Sequence, residues 1–299
     1  VSGILLTGAG GQVGWEVTRR ARARGLVLHG FGRATLDITD ATAVSVALDA
    51  HAPAVVVNAA AYTAVDRAEA EEAQALAVNR DGPALLARAC AARGILLIHL
   101  STDYVFDGAL DRPYREDDRT APLGAYGRSK LAGEEAVRAA TGRHVILRTS
   151  GVFGVHGANF VKTMLRLGKE RDVLRVVDDQ VTRPTFAGDL AEAILTLATT
   201  DAPGLGTFHC AAAGATSWHG FARTIFELAE PWNGPSPRVD PIPTSAYPTP
   251  AKRPANAVLD TDKLARTQGI ALRPWTEGLA EMLARERRGP EGSIGLPGF

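Results

Sequence analysis

The run Thr7-Gly8-Ala9-Gly10-Gly11-Gln12-Val13-Gly14 constrains the fold of this chain more than any other stretch. It follows a short apolar segment, residues 3–7, and opens an amphipathic one near 12–24. Glycines at 8, 11 and 14 leave room for a tight strand-to-helix turn, for close approach of a diphosphate, and for close helix–strand contact. The helix that follows offers unpaired N–H groups and the positive end of its dipole to phosphate oxygens. The spacing G-x-x-G-x-x-G differs from the commoner G-x-G-x-x-G, with Gly10 as one more small residue. Between a strand and a helix, it predicts a dinucleotide site.

The pattern downstream agrees. Apolar runs at 26–30, 54–58, 95–101 and 145–149 read as strands, with helical stretches near 41–51, 64–92 and 126–141 between them. Near-continuous apolar strands alternating with helices predict an α/β fold, a Rossmann-like doubly wound parallel sheet covered on both faces. Later segments read as a helix near 159–170, strands near 174–177 and 207–210, and helices near 188–199, 217–229 and 275–287. The stretch from Pro231 to Pro254 holds eight prolines and is expected to be extended and irregular. Residues 288–299 read as a frayed tail.

Composition narrows the function. The 299 residues balance 33 Lys and Arg against 33 Asp and Glu, so bulk charge points neither to nucleic acid nor to an anionic membrane. Cys90 and Cys210 make neither a disulfide framework nor a zinc cluster, which suits a reducing cytoplasm. No apolar run approaches the length of a membrane span, and the opening VSGILLTGAG carries no export pattern. No histidine pair has metal spacing, so no metal site is expected.

Each unusual polar cluster of the first half follows a strand: Gly8–Gly14, Arg33, the stretch NAAAYTAVD at 58–66, STDYVFD at 101–107 and TSGVFG at 149–154. Doubly wound sheets bind ligands at the carboxyl ends of strands, so these clusters predict one shared site. After the second strand no acid is available for a ribose hydroxyl; Arg33 suits the 2′-phosphate of NADPH, and a solvated arginine is the competing reading. Asp37 and Ile38 fit against adenine. Tyr126 and Lys130 are four apart, on one helical face. A phenol has a reference pKa of about 10, and a neighbouring ammonium favours its ionised form. Such a pair can protonate an alkoxide formed when hydride reaches a ketone. Ser101 and Thr102 both offer a hydroxyl to the carbonyl; adjacent strand residues face opposite ways, so one of them reaches it.

These segments, with AVN, YGRSKLAGE, NFVKTMLRL, VVDDQ followed by RPT, and AKRPANAVLDTDKL, resemble the extended short-chain dehydrogenase/reductases, in the branch acting on nucleotide-linked keto-sugars. The likeness runs from residue 7 to residue 264. It implies a smaller, interleaved C-terminal substrate lobe: residues 1–150 with about 187–215 forming the dinucleotide-binding domain, and about 151–186 with 216–287 the nucleotide-sugar lobe. It implies reduction of the C4 ketone of a dTDP-linked 4-keto-6-deoxyhexose by NADPH, with NADH as an alternative donor. Tyr126 would donate the proton, Lys130 would orient the nicotinamide ribose and lower the Tyr126 pKa, and Thr102 would bond the keto oxygen. Gly11, Gln12, Val13, Asp37, Ile38, Ala61, Tyr62 and Thr63 would line the dinucleotide, and Thr102 and Asp103 would touch the sugar. Arg253 is the candidate for the diphosphate, because a guanidinium engages two oxygens at once. The family usually has tryptophan where this chain has Gly151, which leaves space beside the sugar and opens the choice of keto-sugar. The likeness extends to the non-catalytic β subunit of methionine adenosyltransferase, so a regulatory subunit is the alternative from another class. Exposed helices leave a homodimer open.

Overall fold

The structure is a computed structural model that describes residues 3–234 and 236–289. The tail expected from residue 288 lies, from 290 onward, outside the described residues.

Runs such as Ile4-Leu5-Leu6 and Val55-Val56-Val57 have no polar face to turn to water, so they are stable only in a sheet covered on both sides. In chain order come β1 (Ile4–Thr7), α1 (Gln12–Ala23), β2 (Leu28–Phe31), α2 (Ala41–His51) and β3 (Val55–Asn58). Then follow α3 (Val65–Ala68), α4 (Glu72–Leu76), a π-helical turn (Ala77–Asp81), α5 (Gly82–Ala91), β4 (Leu96–Thr102), α6 (Ala125–Ala140) and β5 (His144–Thr149). The chain leaves the sheet through β6 (Val152–Phe153), α7 (Phe160–Glu170), β7 (Val173–Val177), β8 (Val181–Thr182) and β9 (Thr185–Phe186). It returns with α8 (Ala187–Thr199) and β10 (Gly206–His209). It leaves again through β11 (Thr216–Ser217), α9 (Trp218–Asn233), β12 (Arg238–Ile242), α10 (Asp262–Gln268) and α11 (Trp275–Arg287).

The main sheet has the order β10-β5-β4-β3-β1-β2, all parallel. Strand order reverses between β1 and β3, which opens a crevice at their carboxyl ends. Successive strand residues face opposite ways. Leu6, Val57 and Ile98 therefore pack with Val17, Leu190 and Ile194 of α1 and α8. Leu5, Val56 and Leu97 pack with Val44, Leu86 and Val137 of α2, α5 and α6. Burying each such side chain contributes about 1.5–3 kcal/mol. A further cluster joins Phe153, Val161, Leu174, Phe186, Phe221 and Leu279 between α7, α9, α11 and the small strands. Among the described residues no helix is long and apolar enough to cross a membrane.

Two expectations are corrected. The helix expected over 64–92 is broken into α3, α4, the π-helical turn and α5. Pro83, at the start of α5, lacks the N–H that would bond the Asn79 carbonyl, and the turn before it widens. The proline-rich stretch is more regular than expected. Helix α9 continues through Pro231 to Asn233, and β12 pairs in parallel with β7. A two-stranded sheet leaves each strand one free edge, where Pro241 costs no shared bond.

Candidate active site

The turn after β1 sits in the crevice between β1 and β3. Gly8 has φ +73°, and a Cβ there would stand 2.5 Å from the Ala60 backbone nitrogen. At Gly14 a Cβ would stand 2.1 Å from the Gly8 carbonyl oxygen, so α1 presses directly on the turn. Gly10 and Gly11 are exposed, and around Gly10 there is open space. Gly11 is the N-cap of α1 and contributes no side-chain bond to it. Gln12 and Val13 follow, half-buried, with their N–H groups in the uncapped first turn. Two glycines thus shape the turn and two put no side chain on its outer face, where the Gly10 carbonyl meets His156 Nε2 at 3.0 Å. Such a face, beside uncapped N–H groups, suits a diphosphate.

Small residues bring α6 against the turn that follows β4 and against the π-helical turn. A Cβ on Gly127 would meet the Tyr104 carbonyl oxygen at 2.2 Å, and one on Gly133 the Asn79 carbonyl oxygen at 2.0 Å. Glu69 caps the start of α6 by accepting from the Ala125 N–H at 2.8 Å. This close docking sets Tyr126 edge-on to Tyr104, ring centroids 5.7 Å apart, with its phenol near enough to the Thr102 hydroxyl for that hydroxyl to favour the phenolate. Thr102 ends β4 and also donates to Asp103 Oδ1 at 2.8 Å. Ser101 turns the other way and donates to Glu134 at 2.5 Å, inside a buried pair of Glu134 with Arg148. Lys130 is 2% exposed and donates from Nζ to the Leu100 carbonyl at 2.6 Å.

Burial dominates the electrostatics here. It pushes the Tyr126 phenol up, against the Thr102 hydrogen bond, and the Lys130 ammonium down to about 8, against the pull of Glu134. This differs from the expectation that Lys130 lowers Tyr126, because Lys130 is turned to the Leu100 carbonyl and burial disfavours both charged forms. Asp103, 3% exposed, is pushed up to about 6 by burial, while hydrogen bonds from Ser150 and Thr102 oppose the shift.

The other predicted residues fall along the same rim. Arg33 and Asp37 are exposed beyond β2, and Asp37 accepts from the backbone and hydroxyl of Thr39. Ile38 is buried against Gly82. Ala61, Tyr62 and Thr63 follow β3. The Tyr62 backbone is clamped at both ends by Asn79, which accepts from its N–H at 2.8 Å and donates to its carbonyl at 3.0 Å. Asn79 donates also to Ser129 at 2.9 Å, tying this strip to α6.

Beyond β4 a recess of about 140 Å³ is walled by Asp103, Gly151, Thr182 and Pro254 among others. It adjoins a groove of about 690 Å³ lined by apolar residues of α7, β7 and β12, with Tyr247 at its side. Tyr104, Gln180, Trp218 and Arg253 border both. Gly151 has φ +53°, where a side chain is strained. Arg253 makes a two-pronged contact with Asp66, at 3.1 and 2.8 Å, and its hydrogen bonds hold that carboxyl below the usual range. A separate polar cleft of about 590 Å³, between Arg115, Asp260 and Lys263, shares no residue with this region, and in it Arg115 pairs with Asp260.

The family model described as RmlD substrate binding domain matches residues 2–288. Over 285 residues the chain is 45% identical to a dTDP-4-dehydrorhamnose reductase of Sinorhizobium fredii (strain NBRC 101917 / NGR234), covering 94% of this chain and 96% of that one. The chain belongs to the dTDP-4-dehydrorhamnose reductase family. A crystal structure of dTDP-4-dehydrorhamnose reductase from Bacillus anthracis str. Ames, in complex with NADP, superposes with TM-score 0.90 at 35% identity, covering 95% and 99% of the two chains. At 22% identity and TM-score 0.80, over 96% and 99% of the chains, a Thermus thermophilus UDP-glucose 4-epimerase shares the fold.

Within this dTDP-4-dehydrorhamnose reductase family member, residue patterns alone missed four neighbours of the site. Tyr104 lay in plain view in the STDYVFD stretch, adjacent to Thr102 and Asp103. Asn79 carried a signal in the proline four residues later. Gln180 closes the VVDDQ segment of the family likeness, whereas Trp218 carried no signal, because the chain reaches the recess from far away in sequence.

Proposed function

We propose that the protein reduces the C4 ketone of dTDP-4-dehydro-β-L-rhamnose to give dTDP-L-rhamnose, with NADPH as donor. The observation that carries this reading is the placing of the Thr102 hydroxyl beside the Tyr126 phenol at the carboxyl end of β4, two strands from the glycine turn. Family membership supports it. The outer face of the turn, without side chains from Gly10 and Gly11 and beside uncapped N–H groups, fits a diphosphate. Gly8, Gly11, Gln12, Val13 and Gly14 would hold that group, and Ala61, Tyr62 and Thr63 the ribose side, with Asp37 and Ile38 at the adenine and Arg33 at the 2′-phosphate. When bound, NADPH supplies the hydride.

Thr102 and Tyr126 hold the keto oxygen between two hydroxyl donors. As C4 gains the hydride, the carbonyl pair collapses onto oxygen, and that oxygen takes the Tyr126 proton. A phenol whose pKa burial has raised stays protonated until the alkoxide forms. Lys130, buried beneath the same helix face, would fix the nicotinamide ribose, and the phenolate left on Tyr126 recovers its proton from solvent. Residues 1–150 with 187–215 serve the dinucleotide, residues 151–186 with 216–287 serve the nucleotide sugar, and the enzyme works in the cytoplasm. Gly151 favours a second reading, a reductase of a related keto-sugar with a bulkier ring substituent. Nicotinamide oxidation with dTDP-4-dehydro-β-L-rhamnose, and identification of the product, tests both. Tyr126→Phe is expected to keep NADPH affinity and to lower kcat by about 10²–10⁴-fold; near-normal turnover in that variant overturns the role of the phenol.

A further inference from the structure

Trp218 stands where the small recess meets the large groove. One side of its indole packs on Phe160, centroids 4.8 Å apart, and Phe160 stacks in turn on Phe221. The ring is only partly buried, and the rest of it borders the cavity. Its backbone is tightly held. Ser217, paired with Val181 in the β11–β8 ladder, caps α9 by accepting from the Gly220 N–H at 2.9 Å. The neighbouring pair of the ladder is Thr216 with Thr182. Thr182 shares a 2.6 Å hydrogen bond with Ser150, and Ser150 donates to Asp103 at 2.8 Å. Asp103 accepts from Thr102. This chain of bonds ties the backbone that carries the indole to Asp103 and Thr102.

Gly151, on the same recess, contributes no side chain to it. A Cβ on Gly151 would lie 3.2 Å from Pro184 Cα and 3.3 Å from Thr182 Oγ1, at a φ that disfavours any other residue. Of the other residues that border both compartments, Arg253 is held on Asp66 and Tyr104 lies edge-on to Tyr126, so the Trp218 indole is the broad apolar surface offered at the neck. The two compartments also differ in kind. The recess is bordered by the buried Asp103 carboxyl, an acceptor for hydroxyl groups, whereas the groove sets apolar side chains such as Leu174 and Ile242 beside Arg171 and Arg175, a lining suited to a nucleoside diphosphate.

We infer that Trp218 is the specificity-determining residue for the hexose: its indole is the wall against which the C–H face of the pyranose packs, with the ring hydroxyls turned to the Asp103 side. This rests on the reading of the protein as a dTDP-sugar reductase. The residue does not take part in proton or hydride transfer; it decides which sugar reaches Thr102 and Tyr126.

Calorimetric titration of the wild type, Trp218→Ala and Trp218→Phe with dTDP, dTDP-L-rhamnose and NADPH tests it. Trp218→Ala is expected to bind dTDP-L-rhamnose about tenfold more weakly while binding dTDP and NADPH like the wild type, and Trp218→Phe to recover part of the loss. Equal weakening of dTDP and dTDP-L-rhamnose overturns the inference, since the indole then serves the nucleoside. Unchanged binding of dTDP-L-rhamnose also overturns it. Should Trp218→Ala lose NADPH binding through misfolding, Trp218→Phe is judged by the same criterion: a loss confined to the sugar nucleotide supports the inference, and an equal or absent loss overturns it. A wild type that binds neither dTDP compound refutes the reductase reading itself.

Discussion

Asp103 places a carboxyl with almost no exposed surface between two hydroxyl donors, Thr102 and Ser150. Between pH 3.8 and about 6 the folded protein keeps this proton, which the unfolded chain has already released. The native state binds more protons in that window, so this group's stabilisation is complete at the acid end and declines as pH rises through it. Urea unfolding across the window is expected to show a shallower pH slope in Asp103→Asn than in the wild type; identical slopes would assign the dependence to another group. Arg33, exposed beyond β2, belongs to binding rather than stability. Arg33→Ala is expected to weaken NADPH by about tenfold or more, the effect of losing a charge-assisted bond, and to leave NADH unchanged. Equal effects on both would remove the 2′-phosphate assignment. Tyr126 and Lys130 were legible in sequence because four-residue spacing on a helix is a geometric statement. The choice between Ser101 and Thr102 came only from the family likeness, since strand alternation says that they diverge without saying which side holds the site.

At the scale of elements, the glycine turn and the strands before the polar clusters could be read directly, because their chemistry is local. The interrupted helix between β3 and β4 could not. Its composition favours a continuous helix, and only the contact of Asn79 with Tyr62, across the sheet's rim, explains why the break is useful. Asn79→Ala is expected to leave two backbone groups of Tyr62 without their partner, to cost about 1–3 kcal/mol, and to weaken NADPH binding with helix content unchanged by circular dichroism. Unaltered affinity would show that the Tyr62 strip does not serve the dinucleotide. The proline-rich stretch misled in the opposite direction. Proline count disfavours regular structure, yet β12 needs only one hydrogen-bonded edge, and β7 supplies the partner.

Across the whole molecule, the parallel sheet followed from alternation of apolar strands with helices, but the ties between distant helices did not. Glu16 on α1 is fully buried and faces Arg285 of α11 at 2.7 Å, Arg19 at 3.0 Å and Arg20 at 3.3 Å. Nothing in either helix alone announces this pairing across most of the chain. Glu16→Gln keeps the shape and removes the charge, leaving buried guanidinium groups undercompensated; a loss of about 3–5 kcal/mol is expected in denaturant unfolding. A loss below experimental error would show that water reaches the pair. The order of the sheet has a further consequence during synthesis. Strand β5, buried along its whole length, is made well before β10, its outer neighbour. Until Gly206–His209 emerges, an apolar strand with unpaired backbone groups waits on the flank of a nearly finished sheet, ready to pair with any other chain. A nascent chain stalled at that point is therefore the form of this protein most prone to aggregate.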